Sequence, residues 1–381
     1  MVTGIICEYN PLHMGHKKQL DLIRRADPAG SIVCLMSGNF VQRGMPAIVD
    51  KMVRAKAAVE NGADLVLELP VTGALSSAEG FGAMGVRILS PICDSLCFGA
   101  ETNDKNLLTE LAQALLSEEF STKLKEELET GRSFPAARQG ALEKMGFDAQ
   151  VITSPNNILA VEYCKAILAQ GSKMMPMPIL REGNYHDTEA DQDNPSATAV
   201  RKLMEEGGAW QDFVPPSDDL EKATIHTMQA GEKAILAKLR SMTDEEFKAL
   251  PYGSEGLWRK LMHAVRENAT LDDIITATKS KRYTRTRIDR MIMCAFLGIT
   301  QQMLDDQVPY VRVLAFNDRG RQILKTAKED CRFVNIGEVI DDPYQSLENR
   351  CGTLYGLFAK TPEAPDLERN YRIYYKKNAE V

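Results

Sequence analysis

The amino-acid sequence predicts an α/β protein, with a doubly wound parallel sheet in the first half followed by a mostly helical second half. Three observations point there. Short apolar runs without period-two alternation, the mark of strands buried on both faces, recur at the chain start, at SIVCLMSG (Ser31–Gly38), DLVLELP (Asp64–Pro70), SLCFGAE (Ser95–Glu101) and MPMPIL. Stretches of helical periodicity separate them and are long enough to recross a sheet, as parallel pairing requires. Beyond Pro215 and Pro216 helical periodicity prevails, which sets a boundary between residues 1–215 and residues 216–381.

The first strand ends in Ile5, Ile6 and Cys7 and passes through Glu8, Tyr9, Asn10 and Pro11 into a turn that also holds Leu12. A helix follows in HKKQLDLIRRAD, with Leu20, Leu22 and Ile23 on its apolar side, and its mouth reads His13, Met14, Gly15, His16. A helix start presents unpaired N–H groups and the positive end of the macrodipole, so strand, tight turn and helix together form an anion pocket. Imidazoles three residues apart share a face, and Gly15 has no Cβ to obstruct an oxyanion. At a random position HxGH is ordinary cap chemistry. After the first strand of an α/β domain it points to nucleotide phosphates.

The second strand runs into FVQRGMPAIVDK, where Gln42, Arg43 and Gly44 make a polar turn and Pro46 excludes helix. Ligands bind at this carboxyl edge of open α/β sheets, so Arg43 and Lys51 are candidates for anion contact. Asp50 is placed to cap a helix that Gly62 stops. Gly99 and Ala100 end the fourth strand with little side-chain bulk. Residues Asn106 to Met145 are amphipathic and cover a flank without visible chemistry. In SPNNILAVEYCKAIL, one of Asn156 and Asn157 can cap the helix while the other faces the site. The fifth strand leads to Arg181, placed for paired N–H bonds to phosphate. SATAVRKLM sets Ser196 and Thr198 at a second helix start with Arg201 on its first turn, so hydroxyls, N–H groups and a guanidinium can converge on a triphosphate. The DNP run before it and PPSDDLE after Val214 read as loops.

Composition sets the outer bounds. The chain has 381 residues, 44% apolar and 26% charged, with a net charge of −7 and eight scattered cysteines. These values suit a soluble cytosolic protein with reduced thiols, no membrane span, no dedicated metal cage and no leader segment. A negative sum leaves RNA open, because binding follows local patches.

One such patch lies in the second half. From Lys279 to Arg290 six cations, Lys279, Lys281, Arg282, Arg285, Arg287 and Arg290, stand against Asp289, a local charge of +5. Such a density neutralises phosphates, and the interleaved Tyr283 reads as a stacking platform for an unpaired base, with a solvated helix head as the plain alternative. PYVRVLAFNDRGRQIL reads as strand, turn and helix in a small α/β appendage, with Arg312, Arg319 and Arg321 as further phosphate candidates.

Four segments, EYNPLHMGH, MSGNFVQRGMPAIVDK, GADLVLELP and SPNNILAVEY, together resemble the bacterial tRNA(Met) cytidine acetate ligase family, within the HxGH nucleotidyltransferase superfamily. The resemblance implies a Rossmann-like sheet of the nucleotidyltransferase (HUP) type. It implies an ATP-dependent ligase that activates acetate as acetyl-adenylate and acetylates the wobble cytidine of elongator tRNA(Met). His13 and His16 would be catalytic. ATP would be held by Ile6 to Leu12, Met14, Gly15, Gly99, Asn156, Arg181, Ser196, Thr198 and Arg201, with Mg2+ accompanying it. The KRYTRTR segment would meet the tRNA. Two other readings share the HxGH site: a small-molecule adenylyltransferase, and a non-catalytic RNA-binding factor keeping a nucleotide fold.

Overall fold

The structure is a computed structural model and describes residues 1–181, 195–329, 331–365 and 367–377. The loop read at DNP lies outside the described residues except for Pro195. The first half alternates as its apolar runs require. Its elements are β1 (Val2–Cys7), α1 (Met14–Ala26), β2 (Ser31–Ser37), α2 (Lys51–Glu60), β3 (Leu65–Leu69), α3 (Ala78–Leu89) and β4 (Ser95–Ala100). Three flank helices follow, α4 (Lys105–Leu115), α5 (Glu118–Glu129) and α6 (Phe134–Lys144), then α7 (Pro155–Ala169), β5 (Met175–Leu180) and α8 (Ala197–Glu206).

These five strands are parallel, in the order β3-β2-β1-β4-β5. Successive residues of a strand point to opposite faces, which sorts the apolar positions into two cores. Ile5, Ile32 and Cys34 join Leu20 and Ile23 of α1 and Ala58 and Val59 of α2. Ile6, Val33 and Leu35 join Phe81 and Met84 of α3 and Ala160 and Tyr163 of α7. Asp50 caps α2 by accepting from Met52 N–H, and Gly62 beyond its end takes φ 118°, a conformation that favours glycine. The eight cysteines are free thiols.

The second half contains α9 (Met228–Ser241), α10 (Leu257–Glu267), α11 (Leu271–Thr278) and α12 (Arg285–Leu297). Then come β6 (Val311–Asn317), α13 (Asp318–Thr326), β7 (Phe333–Asn335), α14 (Pro343–Tyr355) and β8 (Tyr374–Lys376). Ile235, Leu261, Ile274, Ile288 and Ile292 build a helical core that also takes in Phe40, Val71 and Leu75 from the first half. Among the described residues no helix is long and apolar enough to cross a membrane.

The strand read as part of a small appendage is instead part of the main sheet. β6 pairs antiparallel with β3 and parallel with β7 and β8, giving an eight-stranded mixed sheet. Its run Val311 to Ala315 is buried throughout, as a strand of a sheet covered on both faces requires.

Three cations assigned to anion contact are committed elsewhere. Lys51 and Arg312 are buried in one ionic cluster with Glu68, Glu348 and Glu368. Lys51 Nζ lies 2.9 Å from Glu68 and 2.6 Å from Glu368. Arg312 reaches Glu68 at 2.8 Å, Glu348 at 3.0 Å and Glu368 at 2.9 Å. Arg319 donates to the carbonyls of Pro28 and Gly30. Neither Lys51 nor Arg312 lines the cavity described next.

Candidate active site

A cavity of about 270 Å3 opens at the carboxyl edge of the sheet where β1 lies between β2 and β4, the point at which strand order reverses. After β1 the chain turns sharply: Tyr9 has φ 44° and the Asn10–Pro11 peptide is cis. His13 then caps α1 in extended conformation, and α1 begins at Met14. The two rings stack, with centroids 3.7 Å apart and planes inclined by 27°.

Their protonation follows from their contacts. His13 N–H donates to His16 Nδ1 at 3.3 Å, so that nitrogen is an acceptor and the ring proton resides on Nε2. His13 is buried, and its Nδ1 has no partner among the described residues. Burial first, and Arg181 second, push His16 down to about 3. Burial, His16, Arg181 and Arg201 hold His13 well below the usual imidazole range. Both are neutral N–H donors at pH 7. A triphosphate beside them reverses the electrostatic sign and favours the charged form.

This sets a pH dependence for the unliganded protein. Below pH 6.5 the unfolded chain binds protons that the folded histidines refuse, so stability falls on acidification from 6.5 toward about 3 for His16. The urea midpoint should drop between pH 7 and pH 5, and the drop should be smaller in His16→Asn. An equal drop in both proteins would show that other groups govern it.

Other segments complete the polar wall. Ser196 caps α8 by accepting from Ala199 N–H at 3.0 Å. Arg201 donates to Asn10 O at 2.7 Å and to Thr198 Oγ1 at 3.2 Å, tying the second helix start to the turn before α1. The two asparagines separate in role. Asn157 is buried and accepts from Glu101 N–H and Thr102 N–H, whereas Asn156 lines the cavity, donates to Glu101 and accepts from Arg181 at 3.2 Å. Arg181 passes over Gly99, where a Cβ would stand 2.9 Å from its Cγ and Cδ.

The cavity thus brings together Ile6 to Asn10, His13, Gly15, His16, Gly99, Asn156, Arg181, Ser196, Thr198 and Arg201. It does not include Pro11 and Leu12, which line a small pocket beside Val53 and Leu220, or Met14, which is exposed. Gly15 earns its place sterically, since a Cβ there would stand 3.0 Å from His13 Cε1. Arg43 lines the cavity as the loop reading expects.

Sequence reading passed over Arg54. Its buried guanidinium donates to the carbonyls of Val49, Glu8, Ser37 and Gly38, gathering the ends of β1 and β2 into one fixed rim. The only signal was an arginine on the apolar side of an Ala-rich helix.

The basic segment sits close by. Lys279, Lys281, Arg282 and Arg285 are exposed, while Arg282 and Arg287 pair with Glu255 and Arg285 pairs with Asp272 and Asp289. Tyr283 is not a stacking platform: the residue is 8% exposed, packs in the helical core, and its hydroxyl donates to Glu255 O. The segment abuts the cavity rim, because a Cβ on Gly44 would stand 2.5 Å from Arg290 N, and Gln42 of the same turn donates its N–H to Glu8 at 2.8 Å.

Known proteins match this arrangement. A family model described as HIGH Nucleotidyl Transferase matches residues 1–370. The tRNA(Met) cytidine acetate ligase of Acetivibrio thermocellus is 37% identical over 355 residues, 86% of each chain. That of Clostridium acetobutylicum is 35% identical, covering 99% of this chain and 98% of the relative. The crystal structure of Thermotoga maritima TmcAL without ligand superimposes with TM-score 0.90 at 28% identity, covering 99% of this chain and 100% of the other. The same protein bound with alpha-thio ATP gives TM-score 0.87 at 27% identity, with the same coverage.

Proposed function

The chain belongs to the HIGH nucleotidyltransferase family, among the tRNA(Met) cytidine acetate ligases, and from that premise we propose that it activates acetate with ATP and acetylates the wobble cytidine of elongator tRNA(Met). The observation that carries this is the neutral, stacked His13–His16 pair at the start of α1, faced by a second helix start bearing Ser196, Thr198 and Arg201. Two helix starts, two N–H donors and two guanidiniums are suited to a triphosphate.

A carboxylate oxygen attacks the α-phosphorus of ATP, the bond from that phosphorus to the bridging oxygen breaks, and its electron pair leaves with pyrophosphate. His13 and His16 donate to phosphate oxygens as charge builds there, and Arg181 and Arg201 hold the triphosphate in line. The resulting mixed anhydride is reactive enough for the weakly nucleophilic exocyclic amine of cytosine, which takes the acetyl group and releases AMP and a proton. Magnesium entering with ATP would neutralise phosphate charge. Glu8, the carboxylate in the cavity wall, would hold the ion together with phosphate oxygens and waters. Cys7 is no rival nucleophile, since burial pushes its thiol well up.

Residues 216–381 supply the tRNA surface through Lys279, Lys281, Arg282, Arg285 and Arg287, next to the Gln42–Gly44 rim. Replacing Arg282 and Arg285 together by alanine should weaken tRNA binding about tenfold, roughly the loss of two phosphate contacts, and leave acetate-dependent ATP–pyrophosphate exchange unchanged. Equal loss of both would contradict separate roles. The reaction itself is tested by mass spectrometry of tRNA nucleosides after incubation with ATP and labelled acetate: N4-acetylcytidine carrying the label is expected, and unlabelled tRNA would sink the assignment.

A further inference from the structure

One end of the cavity is walled by apolar side chains. His13, His16, Thr198 and Arg201 lie on the α1 side of the sheet edge. On the α3 and α7 side the wall consists of Ile6, Phe81, Phe98, Leu159 and Tyr163. Two glycines of α3 draw this wall together. A Cβ at Gly85 would stand 2.3 Å from Ile6 Cδ1, and one at Gly82 would stand 3.4 Å from Tyr163 Cδ1. The Phe98 and Tyr163 rings meet with centroids 5.5 Å apart. Tyr163 is only 4% exposed, lines the cavity, and makes no hydrogen bond among the described residues. Its hydroxyl is therefore open to the cavity and able to donate to a ligand acceptor.

We propose that this apolar end is the acyl-donor subsite, taking a short-chain carboxylate with its alkyl group against Ile6, Phe81 and Phe98 and one carboxylate oxygen accepting from the Tyr163 hydroxyl. The proposal rests on the reaction proposed above. Displacement at phosphorus places the nucleophile opposite the leaving group. With pyrophosphate held on the α1 side, the carboxylate arrives from the α3 and α7 side, where this recess lies. Burial and nearby Glu8 push the phenol up, so it stays a donor across the working pH range. Glu8 engages Gln42 N–H, which turns one oxygen toward the rim. The aromatic walls also set size: a pocket fitted to one methyl group disfavours an added methylene by about tenfold or more.

The test is ATP–pyrophosphate exchange by the full chain with acetate, propionate and butyrate, alongside equilibrium binding of ATP. Tyr163→Phe should raise the KM for acetate about tenfold with kcat for saturating acetate and the Kd for ATP within about threefold of the unaltered protein, the pattern of a lost ground-state hydrogen bond. Phe81→Leu, which keeps an apolar core position, should shift preference toward propionate by about tenfold. Unchanged acetate KM in the first variant and unchanged acyl preference in the second, with ATP binding intact, would overturn the subsite alone. No exchange with any carboxylate in the unaltered protein would overturn the reaction, and the subsite with it.

Discussion

His16→Ala is expected to lower acetate-dependent pyrophosphate release by about 10^2 to 10^3, the usual consequence of removing one preorganised donor from a developing negative charge. The reason lies in its tautomer. His16 Nδ1 is occupied by His13 N–H, so Nε2–H is fixed as the donor and needs no reorganisation when charge appears on the phosphate. Alanine removes that donor and the stacking partner of His13 at once. The loss should fall on kcat, with ATP affinity changed only a few-fold, because Arg181, Arg201 and the two helix starts still hold the ground-state triphosphate. His16→Asn, which can restore a single N–H donor, should recover part of the rate. A kcat within threefold of the unaltered protein in His16→Ala would remove the histidine pair from the reaction.

The parts of this site that sequence reveals are those whose chemistry is local. His13, Gly15 and His16 belong to one helix start, as do Ser196, Thr198 and Arg201, so capping geometry alone assembles each group. The five parallel strands are legible for a similar reason, since each is a continuous apolar run bounded by turn residues. What fails is whatever depends on a distant partner. Lys51 reads as a loop-end cation because its carboxylate Glu368 lies 317 residues away. Tyr283 reads as a surface aromatic because its burial is imposed by helices packed around it. β6 reads as an appendage because antiparallel pairing with β3 leaves no trace in either strand. Nothing in the spacing singles out Phe81, Phe98 and Tyr163, and the fold is what brings them together at the cavity. Arg54 draws its carbonyl partners from three separate segments, a convergence that no spacing announces.

The largest stability effect is expected at Arg312. Replacing it with methionine should destabilise the fold by about 3–5 kcal/mol, because it leaves buried carboxylates without their cation. The unaltered cluster already holds three carboxylates, Glu68, Glu348 and Glu368, against two cations, and Arg312 is the member that touches all three. Lys51 alone reaches only Glu68 and Glu368. Glu348 would keep Val71 N–H and the Tyr344 hydroxyl as donors, but no charge partner. Burial raises this carboxyl more than Arg312 lowers it, so Glu348 is the member prone to take up a proton once the arginine is gone. Urea unfolding at pH 7 should therefore show a lower midpoint with an unchanged slope in Arg312→Met, and Arg312→Met combined with Glu348→Met should regain at least about 1 kcal/mol by removing one stranded carboxylate. A loss under about 1 kcal/mol in the single variant would mean that water, not the arginine, satisfies these groups. Glu68 belongs to β3 and Glu348 to α14, so the same measurement asks whether the last quarter of the chain is bound to the nucleotide-binding sheet by charge or by its apolar contacts alone.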